Sequence, residues 1–76
     1  MAKTKDLAAI ARALDYISWQ WLSDNHPELA EAIELEVGRG ATPTDVRRFV
    51  MRYTDRFELA LRCEQAASWV AEHPEI

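Results

Sequence analysis

The chain is 76 residues long, 49% hydrophobic and 29% charged, with a formal net charge of −4. That balance belongs to a globular chain rather than a disordered one, and the length allows one domain near the lower limit for folding without staples. A single cysteine, Cys63, excludes an intrachain disulfide and points to a reducing cytoplasm; no signal-peptide pattern and no apolar run of ~20 residues is present.

Strand signals are absent, and helical periodicity runs along almost the whole chain. Over residues 4–23, Leu7, Ile10, Leu14, Ile17 and Trp21 recur at spacings of 3, 4, 3 and 4, an a/d stripe on one face of a helix. Thr4 suits its N-cap, and Ser23 to Asn25 followed by a His-Pro step suits its end. A second helix is expected from about residue 26 to 38, with Leu29, Ala32, Ile33 and Val37 on its apolar face. Gly38 and Gly40 then supply two residues that accept positive φ.

Thr42-Pro43-Thr44-Asp45 is a strong start signal, with Thr as N-cap, Pro at N1 and an acid at N3. The third helix carries Val46, Phe49, Val50, Tyr53 and Phe57 on one face. Beyond Phe57 the face changes: Leu59, Cys63, Ala66 and Val70 point more than roughly 100° away at 3.6 residues per turn. Either the chain breaks near residues 54–55, with Asp55 and Glu58 as a capping box, or one long or kinked helix spans 43–72. With no Gly or Pro at the junction, the single helix is preferred. The expectation is an all-α bundle of three or four helices over residues 1–76.

Charge is unevenly placed. Residues 26–40 carry Glu28, Glu31, Glu34 and Glu36 against Arg39, and residues 41–62 carry five arginines against Asp45, Asp55 and Glu58. The plainest consequence is that the acidic and basic segments neutralise each other as antiparallel neighbours. Several large apolar residues lie off the stripes: Tyr16, Trp19, Leu35 and Trp69. Together they suggest a second apolar surface for a dimer or a partner.

Reaction chemistry has little support. His26, His73 and Cys63 lack metal-ligand spacing, and Cys63 and His73, ten residues apart on one helix, would be separated by ~15 Å along its axis. The helix-surface glutamates read as a solvated face, and Gly38-Arg39-Gly40 lacks the strand and the Gly-Lys-Ser/Thr of a phosphate loop. No catalytic residue, cofactor, metal or small-molecule substrate is expected. Nucleic acid is the stronger alternative. Helix, glycine-bearing turn and helix resemble a helix-turn-helix in outline, and Arg48, Arg52 and Arg56, spaced by four, would form one basic stripe. Against it stand a long turn, no Asn, Gln or Lys near the start of the third helix, and four nearby glutamates.

His-Pro-Glu occurs twice, at 26–28 and 73–75, each with a Trp shortly upstream. The grammar is that of a helix boundary, with Asn25 capping the first copy. The expected role is a small cytoplasmic protein acting by protein–protein association, as homodimer, adaptor or inhibitor. Its size also suits a phage or mobile-element accessory protein. Tyr16, Trp19, Leu35 and Trp69 are the expected contacts, with Arg48, Arg52 and Arg56 as a polar second patch.

Overall fold

A computed structural model describes residues 4–73, with side chains from residue 7 onward. Four helices follow one another: α1 Thr4–Asn25, α2 Pro27–Gly38, α3 Pro43–Met51 and α4 Phe57–Glu72. The fold is a small all-α bundle. Thr4, expected as a cap, is the first helical residue, and its side chain lies outside the described ones.

The first boundary falls at one residue, His26. Asn25 does not cap α2; its Nδ2 donates to the Trp21 carbonyl over 2.9 Å, satisfying the last turn of α1 and carrying the helix two residues past Ser23. His26 is the N-cap of α2 and makes no side-chain cap, while Pro27 occupies the first turn, where its missing N–H costs nothing.

The other end of α2 closes as a Schellman motif. Ala41 N–H donates to Glu36 O over 3.0 Å and Gly40 N–H to Val37 O over 2.9 Å, with Gly40 at φ 104°. Of the two glycines expected to serve here, only Gly40 uses positive φ; Gly38 is the last helical residue. At the start of α3 the capping box forms as its residue types require. Asp45 N–H donates to Thr42 Oγ1 over 3.1 Å, and Thr42 N–H donates to Asp45 Oδ2 over 3.0 Å.

The single long helix expected over 43–72 does not form. α3 ends at Met51, and the chain turns through residues 52–56 before α4 begins. At the turn Thr54 Oγ1 accepts from Arg56 N–H over 3.0 Å, whereas the expected Asp55–Glu58 capping box is absent: Arg56 is the N-cap, without a side-chain cap. A straight helix could lay only one of its two divergent apolar faces on the core. Breaking it lets α3 fold back on α4, so that Val46 and Val50 are buried together with Cys63, Ala66 and Val70.

α4 lies at the centre and touches all three other helices, most extensively α1. Its buried face is built from small residues, Ala60, Cys63, Ala66 and Ala67, with Val70. Small side chains let neighbouring helices approach closely, and the bulk comes from outside: Trp19 and Leu22 from α1, Ile33 from α2, Val46 and Val50 from α3. Leu22 and Cys63 are the largest fully buried side chains. That core is small, which places the protein in the marginal range for its size.

Candidate protein-interaction surface

α1 shows two faces, and the bundle buries the less obvious one. Ser18, Trp19 and Leu22 are turned inward, Ser18 donating to Gln65 Oε1 of α4 over 2.6 Å. At 3.6 residues per turn the a/d stripe is rotated about 100° from Leu22. It therefore faces away from the bundle: Leu7 is 63% exposed, Ile10 54%, Leu14 47% and Ile17 54%. Only Trp21 at the end of the stripe is partly covered, by the Arg62 guanidinium 4.6 Å above its ring.

α1 also outruns its neighbour. Trp21 meets Arg62, Ser18 meets Gln65, Tyr16 meets Trp69, and Asp15 lies beside Ser68 and Glu72. Partners on α4 rise in number as those on α1 fall, so the two helices are antiparallel, and α4 ends at Glu72. Every residue from Leu7 to Leu14 is exposed, and all but Arg12 are apolar. A mostly apolar helical segment left in water is the kind of surface that marks an interaction site.

The four residues expected at a contact surface are placed as follows. Trp19 packs in the core at 9% exposed, because it projects to the Leu22 side of α1 rather than the stripe side. Tyr16 and Trp69 come together edge to face, 4.9 Å between ring centroids, with Tyr16 exposed and Trp69 half-buried. Trp69 stacks on His73 at 3.6 Å, and its Nε1 has no partner among the described residues. Trp21 similarly stands 5.2 Å from His26, so both His-Pro boundaries have an upstream Trp against the imidazole. Leu35 is exposed on the far side of α2 from its buried Ala30 and Ile33. The stripe itself was visible in the sequence, but its spacing carries no sign of whether it faces inward or outward.

The arginine patch is rearranged by the break after α3. Arg48 is on α3, Arg52 is its C-cap, and Arg56 is the N-cap of α4, so spacing by four no longer makes one helical stripe. Neutralisation between α2 and α3 is not what the ion pairs show. Among the described residues Arg39 pairs with Glu36 within α2's end at 3.4 Å, and Arg47 pairs with Glu64 of α4 at 3.8 Å.

A second apolar feature lies between α2 and α3, a groove of about 170 Å³ lined by Leu29, Ile33, Val46, Phe49 and Val50, with Glu36 and Asp45 also in its wall. Phe49 and Tyr53 stand beside each other at 5.2 Å, both exposed. Cys63 is fully buried, and burial pushes its thiol up to about 11, which suits a packing residue rather than a nucleophile. Among the described residues no three His, Cys, Asp or Glu side chains converge as a metal site would require, and no helix is long and apolar enough to cross a membrane. Compared with protein-family models, with curated proteins and with solved structures, the chain matches none.

Proposed function

We propose that the protein works by association with another polypeptide through the outward face of α1. The observation that carries this reading is the exposure of Leu7, Ile10, Leu14 and Ile17 on one side of a helix that already commits another side to the core. Scattered apolar residues on a surface need no explanation, whereas a continuous stripe does. Anchoring by apolar side chains on that face supports the role of dimer, adaptor or inhibitor alike.

The test uses the face itself. Ile17→Lys and Leu14→Asp should leave helical circular dichroism and thermal stability at low concentration nearly unchanged, while abolishing association measured by light scattering or partner capture. If either substitution unfolds the isolated chain, the stripe is part of the core and the reading fails.

One observation favours a second reading, duplex binding. Arg48, Arg52 and Arg56 are exposed and form no ion pair among the described residues. Affinity for duplex that falls steeply with salt and weakens in Arg48→Ala and Arg52→Ala would support it. No binding at low salt would dismiss it.

A further inference from the structure

The outward face of α1 is a seam with a defined repeat. Leu7, Ile10, Leu14 and Ile17 occupy the a and d positions of successive heptads, the positions that face a second helix when two helices wind together. Beside the seam the residues are small, Ala11 and Ala13 next to Leu14, so a facing helix can come to about 8 Å, the close end of helix-pair distances. The natural occupant of a seam with this spacing is a helix carrying the same spacing.

The helix dipoles set the direction of that helix. Two copies of α1 side by side and parallel would place like helix ends together. Two antiparallel copies place each positive N-terminal end beside the other's negative C-terminal end.

We propose that the protein forms a symmetric homodimer in which two α1 helices pack antiparallel, Leu7 against the partner's Ile17 and Ile10 against the partner's Leu14. This rests on the association reading above and deepens it by naming the partner as a second copy. The register uses all four exposed side chains, with an a position meeting a d position in every layer. It leaves out Trp21, which Arg62 already covers. Four Leu and Ile side chains about half exposed, with the alanines between them, offer on the order of 500 Å² per copy, so roughly 1,000 Å² in all, where specific but reversible interfaces begin. A dimer that dissociates on dilution follows.

Sedimentation equilibrium from the micromolar to the millimolar range is expected to show the mass rising to twice that of the chain. Leu14→Asp, with circular dichroism as the check on folding, should return it to monomer at every concentration; a dimer that persists in Leu14→Asp overturns the proposed seam. Direction is read by mixing Ile10→Cys chains with Leu14→Cys chains in a glutathione redox buffer, where fully buried Cys63 takes no part. The antiparallel register predicts several-fold more mixed disulfide than either homodisulfide, and an excess of homodisulfides overturns it. A wild-type chain that stays monomeric across the whole range overturns self-association. That result leaves the association reading itself standing, since the latter fails on a different measurement, the unfolding of the isolated chain by Ile17→Lys.

Discussion

Ser18 and Gln65, 47 positions apart in the chain, are joined by a hydrogen bond of 2.6 Å that ties α1 to α4. Ser18 is 2% exposed, and its hydroxyl is a polar group that the described core has to satisfy. Ser18→Ala removes the bond while leaving half-exposed Gln65 free to rehydrate, so the expected loss is about 1 kcal/mol. Urea denaturation should show a lower midpoint at unchanged slope.

The two faces of α1 should respond oppositely to truncation. Leu22 is fully buried, and Leu22→Ala is expected to cost ~2–5 kcal/mol, enough to unfold much of a domain this small. Ile17 is more than half exposed, and Ile17→Ala should cost less than about 0.5 kcal/mol in the monomer. Denaturation at low and high protein concentration checks both, because any Ile17 contribution through association appears only at high concentration. A larger effect at Ile17 than at Leu22 would assign the core to the wrong face.

The glycines flanking Arg39 make a matched pair. Neither has any heavy atom within 4 Å of where a Cβ would stand, so sterics with neighbours do not enter. Gly38 is helical, and Gly38→Ala should stabilise by up to about 1 kcal/mol through helix propensity and lost unfolded-state entropy. Gly40 sits at φ 104° in the Schellman closure, and Gly40→Ala should destabilise by about 1–2 kcal/mol. Thermal melts of the two variants should move in opposite directions.

Asp15 supplies a pH dependence. Partial burial between α1 and α4 raises its carboxyl above the ordinary value; the nearby Ser68 hydroxyl works against this, and the Glu72 carboxylate adds to it. A carboxyl raised in the folded state binds its proton more tightly there than in the unfolded chain. Its contribution therefore favours folding at low pH and is lost as pH rises from the unfolded value, near 3.8, through the raised folded one. Asp15→Asn should stabilise the protein at neutral pH, with the advantage shrinking as pH falls through the carboxylate range. A stability difference that grows in acid would contradict this assignment.

Helix boundaries set by backbone chemistry were the most readable part of the fold. Pro43 with Thr42 and Asp45 leaves few alternatives, and the box forms as spaced. Asn25 was less readable because its amide can serve either neighbour, donating back to Trp21 or capping forward, and local spacing does not choose. The α3–α4 break was visible only as a change of face; tertiary packing decided it, since no glycine or proline marks residues 52–56. The candidate surface shows the same limit. A 3-4-3-4 stripe says that one side of α1 avoids water, but Trp19 and Leu22 on another side compete for the same core. Which of them wins depends on where the small residues of α4 come to rest.

That placement of α4 has a consequence for how the protein is made. α1 is made before the other described helices yet finds its main support in α4, made after them, so α1 leaves the ribosome with neither of its apolar sides covered. The long loop between them must close before the core exists, and a contact of that sequence separation slows folding. Until residues 57–72 follow, the apolar side of α1 that α4 covers stays open to chaperone capture or aggregation. Synonymous changes that pause synthesis shortly before Phe57 should therefore reduce soluble yield without altering the finished protein.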